Sequence, residues 1–369
     1  MKKRLHLILP CILLFTLALA ACGQSPASTV VPIDTSASGA QTTPAVSASG
    51  LFHEYPLPQN NSGMMRPAID AEGRIWFGEM GHNYLAVFDP RTQKFQQMVP
   101  PRGASGVMGV AVAKDDTIWF AEQYANYIGH YNPHTSQYKT YDLPMLKRPD
   151  PSNKNNTLIL PSAPNDIALD AYGNVWFTEL NADSLGMLDV RTGQMKHYHL
   201  AAQGNTHYLD PYGIALDPRG MVWFTEANTN NIGQLNPNTG AVRRFTVQGS
   251  STSFMEIASD SLGTIWATSF SPGLLVKLNP ATGAFTTYNA PSTGNNSGAL
   301  YGLDVTPNGE IWVAIAAEGI IARLDTSKER FIYYQVPTSA SLPFGVVMGT
   351  HNTLWFTEAG SDKVGMLQP

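Results

Sequence analysis

Short apolar runs alternate with polar turns from residue 51 onward, and one run in each cycle contains a tryptophan. Each tryptophan is the second residue of a strand-like run such as Ile75-Trp76-Phe77 or Val222-Trp223-Phe224. The tryptophans are 43, 57, 47, 43, 46 and 43 residues apart: Trp76, Trp119, Trp176, Trp223, Trp266, Trp312 and Trp355. A repeat of this length, built from short strands, predicts a propeller with one blade per tryptophan. The pattern therefore predicts an all-β fold of seven blades.

Each cycle contains four strand-like runs, which we name strands A to D in chain order. The tryptophan lies in strand B. In the fourth cycle, Asp217-Pro218-Arg219-Gly220 separates strands A and B, and Asn236-Pro237-Asn238-Thr239-Gly240 separates strands C and D. Both are turns typical of antiparallel hairpins. We therefore expect four-stranded antiparallel blades.

The seventh cycle lacks a strand D, because the sequence ends shortly after its strand C at residues 363–367. Residues 51–58 resemble the strand-D runs of the other cycles. Pairing this N-terminal strand with the last blade would leave no open edge between blades. The sequence thus predicts a closed ring over residues 51–369.

Residues 1–21 have the features of an export signal. Met1–Arg4 is positively charged, and the apolar stretch that follows is too short to span a membrane as a mature helix. The run Leu19-Ala20-Ala21-Cys22 resembles a bacterial lipobox and implies lipidation of Cys22; a cleaved signal with an incidental cysteine is the alternative. Residues 22–50 are rich in Ser, Thr, Ala and Pro, which predicts a flexible linker. We expect an extracytoplasmic protein anchored by lipid to a bacterial membrane.

Charge and cysteine content bear on the kind of partner and on the source of stability. The formal net charge of -5 gives no reason to expect nucleic acid as a partner. The only cysteine besides Cys22 is Cys11, inside the signal, so the predicted propeller has no disulfide and depends on packing. We expect a monomer with one large core.

Two sets of positions are predicted to converge on the face where the B–C and D–A connections meet. Three residues after each tryptophan stand mainly acidic residues: Glu79, Glu122, Glu179, Glu226, Ser269, Ile315 and Glu358. Five carboxylates around one channel would favour a cation or a basic ligand, whereas strand-end carboxylates that only accept backbone hydrogen bonds are the alternative.

The second set stands eleven residues before each tryptophan and is mainly apolar: Met65, Met108, Asn165, Tyr212, Met255, Tyr301 and Phe344. These residues predict either the floor of a site for an amphipathic ligand or a plug that fills the channel. The candidate ligand-binding residues are Met65, Met108, Tyr301, Phe344 and Glu256, the last of which replaces the glycine usual at the next position.

The motif Trp-Phe-Thr-Glu at 176–179, 223–226 and 355–358, followed by an Ile-Gly, Leu-Gly or Val-Gly pair in strand C, resembles the virginiamycin B lyase family. Those seven-bladed propellers open streptogramin depsipeptides by elimination. The resemblance implies a histidine base in a Pro-His-Gly-Ile run and a magnesium ion held by glutamates. Here the corresponding run is Asp210-Pro211-Tyr212-Gly213-Ile214, so Tyr212 stands at the base position and Asp210 and Glu226 stand at the metal positions. His207, in the loop entering blade 4, is the other candidate base.

A local resemblance concerns blade 3. Pro164-Asn165-Asp166 resembles a motif of gluconolactonase-type propellers, in which the asparagine binds a divalent cation, and Glu179 is the second candidate ligand there. Carboxylates and amides are oxygen donors that suit magnesium or calcium, and no Cys/His spacing suits zinc. The expected cofactor is therefore magnesium or calcium, or none.

Two functions remain open. The chain is either a propeller that binds a small amphipathic ligand, a glycan or a protein partner, or a metal-dependent lyase or lactonase acting on cyclic esters. The missing histidine favours binding, whereas Asp210 and Glu226 keep the enzyme open. The insertion at 145–163, which contains Lys147, Arg148 and Lys154, is expected to be either a lid over the acidic residues or a solvated loop.

Overall fold

The computed structural model describes residues 52–102, 106–150, 153–200, 208–247, 252–290 and 298–369. Within these residues, thirty strands form seven four-stranded sheets and one two-stranded hairpin. Two short 3₁₀ turns, Leu180–Ala182 and Ala316–Glu318, are the remaining regular elements of this part of the chain. None of its helices has the length and apolar character needed to cross a bilayer. The predicted all-β propeller of seven antiparallel blades is confirmed.

The strands follow the predicted blades in chain order. The first strand is β1 (Phe52–Pro56), and blade 1 contains β2 (Ala68–Ile69), β3 (Ile75–Glu79), β4 (Tyr84–Asp89) and β5 (Lys94–Met98). Blade 2 contains β6 (Val107–Val112), β7 (Ile118–Glu122), β8 (Tyr127–Asn132) and β9 (Gln137–Asp142). The insertion contains β10 (Met145–Asp150) and β11 (Asn153–Pro161). Blade 3 contains β12 (Pro164–Leu169), β13 (Val175–Glu179), β14 (Ser184–Leu188) and β15 (Met195–His199).

The second half of the propeller continues the same order. Blade 4 contains β16 (Pro211–Leu216), β17 (Val222–Glu226), β18 (Asn231–Leu235) and β19 (Val242–Thr246). Blade 5 contains β20 (Phe254–Ser259), β21 (Ile265–Ser269), β22 (Leu274–Leu278) and β23 (Phe285–Asn289). Blade 6 contains β24 (Leu300–Val305), β25 (Ile311–Ile315), β26 (Ile320–Asp325) and β27 (Arg330–Gln335). Blade 7 contains β28 (Pro343–Met348), β29 (Leu354–Glu358) and β30 (Lys363–Leu367).

Strand β1 completes blade 7, as predicted. It pairs antiparallel with β30, Phe52 opposite Leu367 and Pro56 opposite Lys363, and the sheet order is β1-β30-β29-β28. The ring therefore closes through hydrogen bonds between the first and last strands, which leaves no open edge between blades 7 and 1.

The tryptophans join neighbouring blades. The Trp223 indole packs with Phe254 and Ile265 of blade 5, and Trp355 packs with Ile75 and Phe77 of blade 1. Indole nitrogens donate to the aspartate of the preceding A–B turn in four blades: Trp76 to Asp70 at 2.7 Å, Trp176 to Asp170 at 3.3 Å, Trp223 to Asp217 at 3.1 Å and Trp266 to Asp260 at 3.4 Å. In these four blades the indole thus satisfies its polar atom while its ring forms the interface with the next blade.

The strand-C glycine of the motif is required by the phenylalanine of strand B. A Cβ added to Gly233 would lie 2.0 Å from the ring of Phe224, far inside van der Waals contact. The phenylalanine ring therefore lies flat on the strand-C backbone, and this packing explains why glycine stands opposite the phenylalanine in blades 2, 3, 4 and 7.

Candidate functional site

The innermost strands carry a β-bulge at the same place in blades 2 to 7. In β16, for example, the register shifts between Pro211 and Ile214, and the equivalent shift occurs in β6, β12, β20, β24 and β28. A bulge inserts one residue and redirects the side chains around it. Each bulge contains a predicted channel residue and the residue after it, such as Tyr212 and Gly213 in β16. The bulges therefore determine what faces the channel.

The threonine of Trp-Phe-Thr-Glu fixes each bulge to the next blade. The Thr225 hydroxyl accepts a hydrogen bond from the Gly213 amide at 2.8 Å and donates to the carbonyl of Met255 in blade 5 at 2.6 Å. Thr178 and Thr268 make the same two bonds, to Asp166 and Tyr212 and to Glu256 and Tyr301 respectively. These bonds satisfy backbone groups that the bulges remove from the sheet ladder, and they hold blades 3 to 6 in one register around the channel.

Three charged residues from alternate blades meet across the channel. The position after the predicted apolar set is glycine in four blades, at Gly109, Gly213, Gly302 and Gly345, and Arg66, Asp166 and Glu256 in blades 1, 3 and 5. One guanidinium nitrogen of Arg66, Nη1, contacts Asp166 Oδ2 and lies 2.6 Å from Glu256 Oε2. The charged residues thus form a cross-channel triad that replaces three of seven otherwise small positions.

The glycines of this layer permit the blades to approach closely. A Cβ on Gly213 would lie 2.5 Å from the Met255 carbonyl oxygen, so a side chain there would push blades 4 and 5 apart. Sequence reasoning identified Glu256 at this layer but missed Arg66. The sequence did contain a usable indication of Arg66. Four of the seven equivalent positions are glycine, and the three exceptions are one cation and two carboxylates.

The triad has unusual proton affinities. The pKa of the Glu256 carboxyl is raised to about 8, mainly because it is buried; Arg66 opposes the shift and Asp166 contributes to it. Burial alone would lower the pKa of Arg66, but Asp166 and Glu256 outweigh that effect and the pKa is raised. Asp166 accepts hydrogen bonds from the amides of Ile167 and Ile214, at 2.6 and 2.8 Å. Glu256 Oε1 is buried and has no hydrogen-bond partner among the described residues.

An aromatic cluster lies one position before the triad on the inner strands. The hydroxyls of Tyr212 and Tyr301 are hydrogen-bonded, and the rings of Tyr301 and Phe344 stack with centroids 3.6 Å apart. Burial raises the pKa of Tyr301 well above its ordinary value, and the neighbouring Tyr212 adds to the shift. Tyr301 is therefore a neutral phenol at neutral pH, and its hydroxyl is one partner of the Tyr212 hydroxyl.

The predicted ligand-binding residues differ in their access to solvent. Met65, Met108, Tyr301 and Glu256 are buried, whereas Phe344 is partly exposed, as is Tyr212. Asn165, a predicted metal ligand, is also buried; it accepts from Gln123 at 3.2 Å and donates to the Tyr212 carbonyl at 3.1 Å. The buried members fit the plug alternative, and Tyr212 and Phe344 are the members of the predicted set with the clearest access to a ligand.

The glutamates three residues after the tryptophans do not lie around the channel, and that expectation was wrong. Three of them bond to the outermost strand of their own blade: Glu79 to Gln97 at 2.7 Å, Glu179 to His197 at 2.8 Å and Glu226 to Arg244 at 2.7 Å. The three partners occupy one register position of strand D, opposite Ala86, Gly186 and Gly233 of strand C. Side chains alternate along a strand, so the glutamate shares the face of the phenylalanine two residues before it. That face packs against the preceding blade, as Phe224 does against Trp176 of blade 3, and the bonds to strand D direct the glutamates away from the innermost strand.

The pair expected to hold a metal ion already has other partners. Glu226 accepts hydrogen bonds from Arg244, from Asn231 at 3.0 Å and from Thr229 at 2.6 Å. Asp210, with a left-handed backbone (φ 48°), accepts from the Asn228 amide. Among the described residues, no group of three His, Cys, Asp or Glu side chains is arranged to hold a metal ion. Binding of magnesium or calcium remains a prediction, and it would require Glu226 to exchange Arg244 for the ion.

The remaining predicted sites are the candidate base His207 and the lipidation site Cys22, which lie outside the described residues. The insertion at 145–163 is not an irregular loop: β10 and β11 form an antiparallel hairpin, with Met145 opposite Pro161. Its base is fixed by Asn126, whose amide donates to the Leu143 and Pro144 carbonyls, and by Ser162, whose hydroxyl donates to Pro144.

Comparison with known proteins supports the fold and the family. The model of the virginiamycin B lyase family matches residues 148–369, which is more than half of the chain. No curated protein sequence matches.

Several solved structures share the propeller. Virginiamycin B lyase from Staphylococcus aureus superimposes with a TM-score of 0.74 and 22% identity, over 86% of this chain and 99% of that one. A catalytically inactive form of the same enzyme, solved with quinupristin, gives the same values. A streptogramin B lyase matches with a TM-score of 0.74 and 25% identity, over 86% of this chain and 96% of that one. Together with the family model, these matches show that the chain belongs to the virginiamycin B lyase family.

Proposed function

We propose that this protein is an exported, lipid-anchored propeller that binds an amphipathic ligand at the mouth of its channel and leaves the ligand chemically intact. The observation that carries the proposal is Tyr212. It stands where the family resemblance implies a histidine base, and its hydroxyl is bonded to the hydroxyl of Tyr301.

The aromatic cluster supports binding. Tyr212 and Phe344 are partly exposed at the channel, and the buried ring of Tyr301 stacks behind Phe344. Rigid aromatic surface beside a few polar groups is typical of small-molecule sites. A ligand with an apolar ring and amide groups, such as the quinupristin of the inactive lyase structure, fits this chemistry.

The surrounding groups disfavour proton abstraction. A phenol has an ordinary pKa near 10, against about 6.5 for the imidazole it replaces, so a tyrosine at this position is a much poorer base at neutral pH. In addition, Arg244 already neutralises Glu226. Tyr212, Asp210 and Glu226, at the expected base and metal positions, are thus bonded to Tyr301, Asn228 and Arg244. These bonds favour binding over proton abstraction.

Export and anchoring rest on the first 22 residues. The basic start, the short apolar stretch and the lipobox-like Leu19-Ala20-Ala21-Cys22 support them. In bacteria, the full chain should partition with membranes and incorporate a fatty-acid label, and Cys22→Ser should abolish the label. Labelling that persists in Cys22→Ser would overturn the anchor.

Binding is tested on residues 22–369 carrying Cys22→Ser. Titration calorimetry with quinupristin should show saturable binding that Tyr212→Ala and Phe344→Ala each weaken about tenfold, because an aromatic contact is typically worth about 1 kcal/mol or more. Tyr172→Ala is the matched control, since Tyr172 is exposed in an A–B turn on the opposite face. Absence of saturable binding, or equal loss in the control, contradicts the proposal.

The same samples distinguish binding from catalysis. After incubation with magnesium, with calcium or with a chelator, liquid chromatography and mass spectrometry should recover cyclic quinupristin. Ring opening by elimination would change the retention time without changing the mass, and hydrolysis would add one water. Either product, formed with metal and lost in Asp210→Asn, would establish instead the lyase or lactonase that Asp210 and Glu226 keep open.

A further inference from the structure

The hairpin β10–β11 exposes large apolar side chains to solvent. Its register places Met145, Lys147 and Ile159 on one face, because Lys147 is opposite Ile159 and side chains alternate along each strand. Met145 is 57% exposed and Ile159 is 64% exposed. Isolated exposed apolar residues are common, but neighbouring ones on a projecting element indicate a contact surface.

A third exposed apolar residue lies on the same side of the propeller. Tyr124, in the B–C turn of blade 2, is 48% exposed, and Asn126, two residues later, contacts the sulfur of Met145 at 3.7 Å. We call Tyr124, Met145, Lys147 and Ile159 the hairpin patch. The A–B turns at the opposite end of the blades contribute two exposed apolar residues, Tyr172 from blade 3 and Leu262 from blade 5.

The hairpin is basic within an acidic protein. Residues 145–161 contain Lys147, Arg148 and Lys154 against one acid, Asp150, whereas the whole chain has a formal charge of -5. Cations next to apolar and aromatic side chains are the combination that binds an anionic bilayer surface. The apolar groups enter the headgroup region and the cations pair with lipid phosphates.

We infer that the hairpin patch docks onto an anionic lipid surface. The inference rests on the proposed membrane anchoring, because a few inserted side chains bind only weakly and need a second attachment, which lipidated Cys22 would supply. We favour lipid over a protein partner because the hairpin carries three cations and one acid, whereas the chain as a whole has a formal charge of -5.

The linker predicted for residues 22–50 would be long enough for this orientation. Pro56 lies opposite Lys363, just after a B–C turn, so Phe52 at the start of β1 lies at the end of the blade away from the hairpin. A flexible linker of the length of residues 22–50 spans about 30 Å on average, and a blade strand is about 17–20 Å long. Docking by the hairpin would turn the channel mouth towards the bilayer, where an amphipathic ligand concentrates.

The test uses the unlipidated chain, residues 22–369 with Cys22→Ser, without ligand, at low salt and at lipid concentrations high enough to detect the weak binding of the patch alone. Its result is therefore independent of the proposed anchor and of ligand binding in the channel. Co-sedimentation compares vesicles of phosphatidylcholine alone with vesicles of phosphatidylcholine and phosphatidylglycerol in equal parts. We expect binding to the anionic vesicles, weakened about tenfold by Met145→Asp/Ile159→Asp and by Lys147→Glu. The matched controls, Tyr172→Asp/Leu262→Asp and Lys114→Glu, change the same side-chain classes elsewhere and should bind as the parent protein does.

Three outcomes overturn the inference. The parent protein fails to bind anionic vesicles; the hairpin and control variants lose binding equally; or sedimentation without vesicles shows an oligomer that Met145→Asp/Ile159→Asp dissociates, which would make the patch a contact between copies of this chain. Circular dichroism of every variant establishes that the propeller is folded.

Discussion

Blades 4 and 7 share the motif Trp-Phe-Thr-Glu but surround its glutamate with opposite charges. In blade 4 the strand-D partner of Glu226 is Arg244, whereas in blade 7 the same register position, opposite Gly365, is Glu54 of the closing strand β1. Lys363 compensates in part, since its ammonium lies 3.2 Å from Glu54. The blade made from one continuous segment thus has an attractive pair, and the blade that closes the ring has two carboxylates.

The difference gives the two blades different responses to pH. Burial raises the pKa of Glu358 from 4.5 to about 7, and Glu54 adds to the shift while Ser361 opposes it. Because the folded pKa is above the unfolded one, this contribution to stability is complete below about pH 4.5 and is lost as the pH rises through 7. Glu358 therefore makes the ring closure more stable in acid than at pH 8.

Removing the cation of blade 4 should have the largest effect. Arg244→Met leaves Glu226 buried beside no cation, and we expect the free energy of unfolding in urea at pH 7 to fall by about 2–4 kcal/mol, somewhat below the full cost of a broken buried pair because Arg244 is partly exposed. Arg243→Met is the control, since Arg243 lies over the ring of Phe245 at the surface and should cost less than about 1 kcal/mol. Equal losses in the two variants would remove the distinction between the blades.

Neutralising the carboxylate of blade 7 should act in the opposite direction. At pH 8, Glu358→Gln should raise the free energy of unfolding by about 2–3 kcal/mol, because it removes the cost of ionising a buried carboxyl whose pKa is about 7. The gain should vanish near pH 4. Glu226→Gln, the same substitution in blade 4, should give no gain at pH 8, since it breaks the pair with Arg244; a gain there would contradict the assignment.

Converting blade 7 to the arrangement of blade 4 should give an intermediate effect. Glu54→Arg places a cation opposite Gly365, and at pH 8 we expect stabilisation of about 1–2 kcal/mol, reduced by the loss of the bonds from Lys363 and Thr338 to Glu54. Urea unfolding between pH 5 and 9 should also become less dependent on pH. Unchanged pH dependence would show that residue 54 does not affect the pKa of Glu358.

Blade 3 should show the smallest effect. Its pair is Glu179 and His197, and the hydrogen bond from His197 to Glu179 raises the pKa of the histidine. Its stabilisation is complete below the ordinary pKa of 6.5 and is lost as the pH rises through the raised value. His197→Gln, which reproduces the Glu79–Gln97 pair of blade 1, should cost less than about 1 kcal/mol at pH 6 and still less at pH 9, because His197 is partly exposed. A larger cost at pH 9 would reverse the predicted sign.

The sequence was sufficient for the fold because tryptophan spacing and turn residues depend on local structure. It was insufficient for the glutamates, because their surroundings depend on which strand-D residue shares their face. Register supplies that information. Where the glutamate is replaced by Ser269 or Ile315, the strand-D partners are Thr287 and Tyr333, which carry no charge at neutral pH.

The channel was predicted only in part. Tyr212, Tyr301 and Phe344 were placed correctly on the inner strands, but their burial depends on bulges that a period-two pattern does not reveal. Arg66 was missed because it lies just before the short strand β2, and its partners are 100 and 190 residues away in sequence, at Asp166 and Glu256. Comparing the same position across all seven blades identifies such residues when a single blade does not.

The pairing of β1 with β30 makes the order of blades around the ring independent of where the chain starts. Phe52 lies opposite Leu367, so the two ends could be joined by a short linker and new ends opened in the C–D turn of blade 4, between Asn236 and Gly240. Such a circular permutant retains every interface between blades. It moves the seam, meaning the blade that is closed by pairing between the first and last strands, from blade 7 to blade 4. The seam would then close through Glu226 and Arg244, and its closure would no longer require two carboxylates to share one buried space.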